Sequence, residues 1–534
     1  MPYAADILVL FLYFALVMGI GLSQSRKNKS VEGFALGDRE MAWWAVLASI
    51  LAAEISAATF LGAPESGYSR QNWSYAQFAI GTILARIIVS FLFIPLFYRH
   101  NVISLYEYLE TRFGTATRKF ASITFMITRV LAMGTRLYVS AIILVLAYTL
   151  WTGQEATADT KFWLYAGAVV VVTLLTALYT SVGGIRAVIW TDFIQVGVLV
   201  ASLGFTIPYL MGKIPGGWES VSAIIKSPAF FDFAKPESPG VWAWIRNVLL
   251  TEYTLWGAII GSTFVTMSTH GIDQDTVQRM LTAKNRRQSA FATILSGLID
   301  LPIVSAFIFI GVLLYAYYQA YPNPNLPKES REVFPYFIMH EMPAGMRGLV
   351  TAGILATAMG SLSTALNALA TSLSRDFLLP LLPADATERK RIAVMRWSTV
   401  LFALLIIIVG IWTAWVMAHN PKIEILPLVL GILGFTFGSL LGIFLLAIFT
   451  KTRGNDLGNI IAMLCGMVAV LFMSNVLGIQ QAVGFTQLNA KGETVALLPI
   501  SFPWRITLGT LVTIGVAILF RTPANKVRAD GQAV

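Results

Sequence analysis

Long apolar stretches dominate the chain and are separated by short polar or charged segments. About 20 apolar residues cross a bilayer as a helix, and the pattern predicts about thirteen spans. Several are too long for one straight crossing and must tilt, break or continue outside the membrane. The spans are predicted at roughly 6–23, 41–69, 73–98, 117–151, 162–181, 186–211, 241–270, 289–319, 334–374, 394–418, 424–450, 457–477 and 501–520.

Lys and Arg are concentrated in alternate connections between the spans, beginning after the first span and ending in the C-terminal tail. The positive-inside rule therefore predicts an N-terminus outside the cell and a C-terminus in the cytoplasm. The opposite connections, such as 212–240 and 478–500, are longer and poorer in charge. The short tail after the last span predicts no additional soluble domain.

Composition supports a membrane protein and argues against a soluble enzyme. The 534 residues are 56% hydrophobic and only 12% charged, whereas soluble domains are about 25% charged. The net charge of +10 would suit nucleic acid, but its alternation between connections indicates membrane topology, so no nucleic-acid partner is predicted. Cys465, the one cysteine, can form no internal disulfide. Asp6 and the absence of a basic start indicate a retained first span rather than a signal peptide.

Two predicted spans carry interruptions at corresponding places, five spans apart. The second contains 53–56 (Ala-Glu-Ile-Ser) followed by 62–64 (Gly-Ala-Pro), and the seventh contains 266–271 (Thr-Met-Ser-Thr-His-Gly). Paired broken helices are typical of inverted-repeat transporters whose site lies at the membrane midplane. The alternative is ordinary helix irregularity, since Gly and Pro are frequent in membrane helices.

Hydroxyls and a carboxylate inside the spans are candidate cation ligands. Thr357, Ser361 and Thr364 share one face of the ninth span, with Ser363 beside it. Such oxygens can coordinate a cation, although small residues also permit close helix packing. Asp192 in the sixth span is either a cation ligand or a helix cap, and the ligand role is favoured because a carboxylate in a membrane needs a partner.

The segment 183–196, GGIRAVIWTDFIQV, resembles the signature of the sodium:solute symporter family. Other stretches agree in order and spacing over roughly residues 5–455: WWAVLASILAAEISAATFLG, YEYLETRFG, DQDTVQRMLTAKN and GSLSTALN. The resemblance implies an all-α membrane protein with the LeuT-type core of five plus five inverted helices, similar to bacterial galactose and sialic acid transporters. It also implies sodium-driven alternating access. The corresponding divisions are 1–40, an extra helix and inner loop; 41–215 and 216–455, the two repeats; and 456–534, two helices and a tail.

The resemblance also implies one sodium ion, and in some members a second. The main site would use carbonyls of Ala52, Ile55 and Thr357 with the hydroxyl of Ser361. Family members often have two adjacent serines there, but this chain has Gly360 before Ser361, so one hydroxyl is missing. The second site would use Asp192, Ser363 and Thr364.

The substrate pocket should lie beside the breaks, but the galactose-binding set of the family is largely absent. Thr59 and Ala76 stand where those members have glutamine and glutamate, Asp300 replaces a lysine, and Thr269 and His270 replace an aromatic gate pair. Galactose itself is therefore not expected. The predicted pocket residues are Glu54, Thr59, Tyr75, Gln77, Arg136, Tyr138, Thr266, Thr269, His270 and Asp300.

Two arginines on the fourth span have open roles. Arg129 and Arg136 are seven residues apart and share a face. Arg136 either binds a substrate carboxylate or pairs with Glu54 and Asp300, and Arg129 could extend to the cytoplasmic interface. His270 is either structural or a hydrogen-bonding and titrating group. Asp273, Asp275 and Arg279 are interpreted mainly as a structural charge cluster.

The sequence therefore predicts a sodium-coupled symporter importing a small polar organic solute, either sugar-like or a carboxylate, across a bacterial-type inner membrane. The alternative is a proton-coupled carrier of the same fold, which the buried acids and His270 would suit. A non-transporting sensor is disfavoured by the short tail. An enzyme is disfavoured because no metal triad, nucleophile motif or phosphate loop is present in the sequence. The solute, the ion stoichiometry and the oligomeric state stay open, although a monomer can suffice.

Overall fold

The computed structural model describes residues 3–24, 29–152, 156–225, 231–234, 240–419, 425–475, 478–488, 494–497 and 499–523. Part of the first basic loop, parts of the connections 212–240 and 478–500 and most of the C-terminal tail, which entered the topology prediction, lie outside these residues. The described chain is almost entirely helical, with one two-stranded sheet.

Ten helices make up the first half of the chain. They are α1 (Ala4–Ser23), α2 (Val31–Leu36), α3 (Trp43–Glu54), α4 (Ala57–Arg70), α5 (Phe78–His100), α6 (Glu107–Arg112), α7 (Thr115–Thr152), α8 (Ala158–Lys213), α9 (Trp218–Ile224) and α10 (Val241–Leu250).

The second half contains ten more helices and a short antiparallel pair of strands. They are α11 (Ser262–Gly271), α12 (Gln274–Met280), α13 (Arg286–Ala320), α14 (Ser330–Glu341), α15 (Met346–Leu373), α16 (Glu388–His419), α17 (Ile425–Phe449), α18 (Asp456–Ser474), α19 (Ile479–Ala482), β1 (Thr486–Leu488), β2 (Thr494–Ala496) and α20 (Phe502–Ala517).

Within the described residues, seven helices are long and apolar enough to cross a membrane, and the bent pair α3–α4 brings the number to eight. The chain-wide total of thirteen stays a prediction. Helix α8 alone, at 56 residues, is about 84 Å long, well over twice the apolar thickness of a bilayer. It covers two predicted spans and is interrupted between them at Gly184, where φ is 55° and ψ is −155°.

Two predicted spans are each divided in the structure. Span 334–374 is two helices, α14 and α15, separated by residues 342–345. Span 241–270 is divided between α10 and α11, with non-helical residues at 251–254 and a π-helical turn at Gly257–Gly261. Hydrophobicity alone did not distinguish these short helices from the longer helical segments that follow them.

The first broken helix is confirmed. Helix α3 ends at Glu54 because Ile55 (φ −78°, ψ 94°) and Ser56 (φ −88°, ψ 166°) are extended. The Ser56 hydroxyl accepts a hydrogen bond from the Thr59 amide at 3.4 Å and so caps α4. The two helices are bent by 61°. Carbonyls of the last turn of α3 are therefore left without partners from a continuing helix.

The second break lies just after the predicted segment rather than within it. Helix α11 continues through Gly271, and Ile272 and Asp273 are the non-helical residues. Asp273 then caps α12 by accepting a hydrogen bond from the Asp275 amide at 3.1 Å. The prediction placed the break at the cluster of small residues, whereas the capping aspartate determines where the second helix starts.

Helix α15 lies at the centre of the bundle, with 94% of its most apolar window buried. It packs against α8, α3, α7 and α16. Close backbone contact fixes the neighbouring helices: a Cβ on Gly67 of α4 would lie 2.0 Å from the Ile308 carbonyl, and one on Gly311 of α13 would lie 2.0 Å from the Pro64 carbonyl. The first break is therefore held on one side by α13 and faces α15 on the other.

Candidate functional site

The end of α3 meets the hydroxyl-bearing face of α15. The Ser361 hydroxyl donates to the carbonyl of Ala53 at 3.3 Å, and a Cβ on Gly360 would lie 3.2 Å from the carbonyl of Ala52. A small cavity lies between α3, α8 and α15; its lining residues are Leu51, Ala52, Ile55, Gln195, Val196, Leu199, Ala356 and Thr357. The structure thus brings together the five residues expected at the main sodium site, although ion binding by them stays a prediction.

The other hydroxyls of α15 bond to carbonyls of their own helix. Thr357 donates to the Ile354 carbonyl at 2.7 Å, Ser363 to the Gly360 carbonyl at 3.1 Å, and Thr364 to the same carbonyl at 2.9 Å. Such bonds leave the hydroxyl lone pairs free to face a cation. The whole row is buried in the protein and does not face lipid.

Asp192 of α8 is fully buried beside this row. The hydroxyl of Ser49 on α3 donates to its Oδ2 at 2.5 Å, while its Oδ1 has no hydrogen-bond partner among the described residues. The Ser49 carbonyl in turn accepts from Arg279 Nη1 of α12 at 2.7 Å. Asp192 lies in the middle of the α8 span and does not cap a helix start. A buried carboxylate oxygen without a partner is suited to a cation.

A network of opposite charges fills the second break. Arg279 donates to Asp275 at 3.0 Å, Arg129 of α7 lies 3.3 Å from Asp275, and Arg129 also forms an ion pair with Asp273. The expected structural role of this cluster is consistent with these contacts. Arg129 is 5% exposed, so the suggestion that it extends to the cytoplasmic interface was wrong.

A second buried charge cluster joins Glu54, Arg86 and His270. Arg86 of α5 pairs with the Glu54 carboxylate, and His270 Nε2 lies 2.7 Å from the same carboxylate oxygen. Thr269 Oγ1 lies 3.0 Å from His270 Nδ1. The alternative in which Glu54 pairs with Arg136 was therefore wrong, because Arg86 forms that ion pair. Asp300 of α13 is half-buried and interacts electrostatically with Glu54 and Arg86.

Hydroxyls continue from this cluster along the contact between α5 and α11. Thr82 Oγ1 lies 3.3 Å from both Thr266 Oγ1 and Ser262 Oγ. Thr266 is one turn from His270 on α11, so it shares a face with that cluster. Glu54, Thr266, Thr269, His270 and Asp300 thus form one polar region on the side of the first break opposite the α15 hydroxyls.

The remaining predicted pocket residues make other contacts. Thr59 belongs to the helix cap of α4. Tyr75 packs edge-on against Tyr253, with ring centres 5.7 Å apart, and Gln77 donates to the Tyr253 carbonyl at 3.0 Å. Tyr138 packs edge-on against Tyr165, with ring centres 4.5 Å apart. None of these four forms a hydrogen bond or ion pair with Glu54, Arg86 or His270 among the described residues, although Tyr75 interacts electrostatically with Asp300.

Arg136 faces the protein interior without an ion pair. The lipid-facing side of α7 is marked by Ile127, 57% exposed, and Ile123, 42% exposed. Arg136 is nine residues after Ile127, about 2.5 turns at 3.6 residues per turn, and so points the opposite way. It is half-buried there. None of the ion pairs formed among the described residues includes Arg136.

Three residues at these sites were missed from the sequence. Arg86 is a lone arginine inside an apolar span, a signal that predicts a buried acidic partner. Gln195 lies three residues after Asp192, hence next to it on the same helical face. Ser49 had no signal, because a serine among alanines in a membrane helix is ordinary packing.

Comparisons with known proteins identify the family of the chain. Residues 34–466 match the model of the sodium:solute symporter family. The chain is 30% identical to the sodium/sialic acid symporter SiaT of Proteus mirabilis, over 87% of the chain and 88% of that protein. It is 28% identical to the sodium-coupled monocarboxylate transporter 1 of Homo sapiens, over 84% of the chain and 68% of that protein.

Two solved structures show the same architecture. A substrate-bound, outward-open Na⁺-coupled sialic acid symporter, described as having a novel Na⁺ site, superimposes with a TM-score of 0.77, 25% identity and coverage of 96% of this chain and 97% of that one. Mhp1, a nucleobase-cation-symport-1 family transporter, shares the fold at a TM-score of 0.51, 14% identity and coverage of 94% and 98%. The chain has the LeuT-type fold. It therefore belongs to the sodium:solute symporter family and carries a small polar organic solute across the membrane together with sodium.

Proposed function

We propose that the solute is a small organic anion whose carboxylate is bound by Arg136. The observation that carries the proposal is an arginine that points into the bundle, is partly exposed there and has no ion pair among the described residues. A charged group in a membrane interior needs a partner or water. A guanidinium holds a carboxylate with two parallel hydrogen bonds.

The other interior arginines explain why Arg136 is the candidate. Arg86, Arg129 and Arg279 each pair with an acid of the chain, so binding a solute would require breaking those pairs. Arg136 has no ion pair among the described residues that solute binding would have to break. The relatives named above are described as symporters of sialic acid and of monocarboxylates, and both kinds of solute carry a carboxylate.

The main sodium ion is proposed to bind at the first break. The carbonyls of Ala52, Ile55 and Thr357 would be ligands with the Ser361 hydroxyl, since these residues surround or adjoin the cavity between α3, α8 and α15. Neutral oxygens suit an alkali cation because they replace its water shell without adding charge to the bilayer interior. A second ion would bind at Asp192, whose Oδ1 is without a partner among the described residues, with Ser363 and Thr364.

The direction and the repeat organisation are proposed from the same elements. The first repeat, 41–215, contains the α3–α4 break, and the second, 216–455, contains the α11–α12 break. The N-terminus would lie outside and the C-terminus inside, because basic residues alternate between the connections. Import would then follow an inward sodium gradient, and the described fold needs no second copy for the proposed sites.

The experiment is sodium-driven uptake by the purified chain in proteoliposomes. Radiolabelled sialic acid and lactate are each compared with their methyl esters, which remove the charge and keep the remaining structure. Uptake of an acid and not of its ester supports the proposal. Equal uptake of acid and ester, or of a neutral sugar alone, contradicts it.

Arg136→Lys tests the binding mode, because lysine keeps the charge and loses the two-pronged geometry. We expect uptake of the acid to fall by at least about tenfold, the worth of one charge-assisted hydrogen bond. Arg396→Lys is the matched control: Arg396 is half-buried on α16 and donates only weakly to the Val182 carbonyl at 3.5 Å. Full uptake by Arg136→Lys would show that Arg136 only balances charge.

A contribution from protons is the second candidate, favoured by the contact between His270 and the Glu54 carboxylate at 2.7 Å. Such a pair could accept and release a proton during the cycle. Uptake without sodium, driven by an inward proton gradient and lost in His270→Gln, would support it. No uptake under those conditions would leave sodium as the sole coupling ion.

A further inference from the structure

The position of the missing hydroxyl on α15 is filled by another side chain. At Gly360 the chain lacks one of the two adjacent serines common in the family, yet the space beside it is occupied. A Cβ built on Gly360 would lie 2.8 Å from Gln195 Oε1 and 3.2 Å from the Ala52 carbonyl. The amide oxygen of Gln195 is thus close to where a serine hydroxyl at residue 360 would lie.

The Gln195 amide is buried, and its polar atoms make no hydrogen bond of full geometry among the described residues. The residue is 2% exposed, and neither its Oε1 nor its Nε2 has a hydrogen-bond partner among the described residues. The hydroxyls of Tyr13 and Tyr179 lie near enough to interact with the amide, but neither makes a hydrogen bond of full geometry with it. Burying an unpaired amide costs free energy, so an unpartnered one in a membrane bundle needs an explanation.

The amide also lines the cavity at the first break. Gln195 shares that cavity with Ala52, Ile55 and Thr357, which are three of the four proposed carbonyl and hydroxyl ligands. It lies one turn from Asp192 on α8, so it is also adjacent to the residue proposed to bind the second ion. An amide oxygen is a neutral, hard ligand of the same chemical kind as a backbone carbonyl.

We propose that the side-chain oxygen of Gln195 is a ligand of the main sodium ion and takes the place of the hydroxyl absent at Gly360. The inference rests on the proposed sodium site at the first break and adds a ligand from α8 to it. The ion would then be held by three helices, α3, α8 and α15. Sodium binding would fix α8 against the end of α3 as well as against α15.

A side chain at residue 360 and the amide of Gln195 would compete for the same space. A side chain at 360 cannot coexist with the amide in its present place, because 2.8 Å is shorter than real Cβ contacts. The atom in the way is the end of a flexible side chain, so Gly360→Ser would displace the amide and supply a hydroxyl instead. The two residues therefore provide alternative ways to complete one ligand set, and substitutions at them should not be additive.

The test is thermal unfolding of the full-length chain in detergent without solute, titrated with NaCl against KCl at constant ionic strength. A ligand that binds the folded state raises its midpoint by mass action, so the sodium concentration for half the shift reports affinity independently of transport. Gln195→Met keeps an unbranched side chain of similar length and lacks the oxygen. We expect that concentration to rise at least about tenfold, as for weakened metal ligation.

Gly360→Ser in the Gln195→Met background should restore most of the lost sodium affinity, because the hydroxyl replaces the amide oxygen. Gln480→Met is the matched control: it removes a fully buried glutamine far along the chain on α19 and should leave the sodium response unchanged. Gln195→Asn, which keeps the amide on a shorter side chain, serves if Gln195→Met does not fold, with a weaker but measurable sodium response expected.

The outcomes distinguish failure of the Gln195 ligand from failure of the proposed sodium site. If Gln195→Met binds sodium like the unaltered chain while Ser361→Ala is impaired, the site stands and the Gln195 ligand is wrong. If Gln195→Met is impaired but Gly360→Ser fails to rescue it, replacement of the hydroxyl is wrong. If the unaltered chain shows no sodium-specific shift, the proposed site fails and this inference fails with it.

Discussion

At the break between α3 and α4, carbonyls and hydroxyls surround a small cavity, whereas at the break between α11 and α12 ionised side chains fill the space. The first break has Ser361 and the Gln195 amide beside it. The second is enclosed by Asp273, Asp275, Arg129 and Arg279. Both breaks begin their second helix with a capping side chain, Ser56 in one and Asp273 in the other.

An interrupted helix does not always leave its polar space open to an ion. Unwinding frees carbonyls at both places, but at the second break Asp273 and Arg129 use the polar space for ion pairs within the chain. On the α15 side of the first break the Ser361 hydroxyl, the Gln195 amide and the freed carbonyls are neutral, and the Gln195 amide lacks a hydrogen-bond partner among the described residues. The ion pair between Glu54 and Arg86 lies on the side that faces α5. We therefore expect the second break to govern stability and the first to govern sodium binding.

The largest expected effect is from Arg129→Ala. The substitution leaves Asp273 without its ion pair and Asp275 with Arg279 alone, and an unpaired buried charge costs about 3–5 kcal/mol. The midpoint of thermal unfolding should fall sharply, with little expression of folded protein. Arg331→Ala, which breaks a half-exposed pair with Glu329, is the control and should cost less than about 1 kcal/mol. Similar losses for the two variants would refute a structural role for the second break.

Asp192→Asn tests whether the first break binds a second ion. The amide keeps an acceptor for the Ser49 hydroxyl but loses the charge that would attract the cation. Sodium activation of uptake at saturating solute should change from a Hill coefficient of about two to about one. Asp159→Asn at the exposed start of the same helix should leave the coefficient unchanged. An unaltered coefficient in Asp192→Asn would remove Asp192 from the ligand set.

Ser361→Ala should weaken sodium binding by about tenfold, equivalent to about 1.4 kcal/mol, with little loss of stability. The hydroxyl is bonded to the Ala53 carbonyl at 3.3 Å, which is too weak a contact to hold the fold. Ser372→Ala removes another buried hydroxyl from α15, one without a partner among the described residues. If sodium shifts the unfolding midpoint of both variants equally, the Ser361 face of α15 serves helix packing and does not bind sodium.

The smallest expected effect is from Ser56→Ala, which removes the cap of α4 and should cost about 1 kcal/mol. Because the cap fixes the angle at the first break, the sodium affinity should fall as well. Asn455→Ala removes the cap of α18, where the Asn455 side chain accepts from the Gly458 amide at 2.7 Å. It should cause a similar loss of stability and no change in sodium affinity. A sodium response altered by both would indicate a general loss of folding.

Patterns of residues along single helices were predictable, whereas partners across helices were not. The extended residues at 55–56 and the buried face of Thr357, Ser361 and Thr364 follow from local composition and helical spacing. The pairing of Glu54 with Arg86 does not, because Arg86 and Arg136 are both arginines inside apolar spans. Only the packing of α5 against α11 and α13 brings Arg86 to Glu54.

The position of the second break was also not predictable from local sequence. Small residues at 266–271 permit a helix to unwind, but they do not require it, and α11 continues through them. The position of the break is determined by Asp273, which caps α12 and forms an ion pair with Arg129. The Gln195 amide and a side chain at residue 360 would compete for one space only because of the way α8 packs against α15. The spacing of residues along either helix does not predict that packing.

Ser49 has a mechanical consequence for the transport cycle. Its hydroxyl is directed to Asp192 on α8 and its carbonyl to Arg279 on α12, so one residue of α3 connects two other helices. If α3 rotates when an ion arrives, α12 must turn with it or lose a 2.7 Å bond to Arg279. Helix α12 would then respond to the occupancy of the first break without any direct contact with the ion.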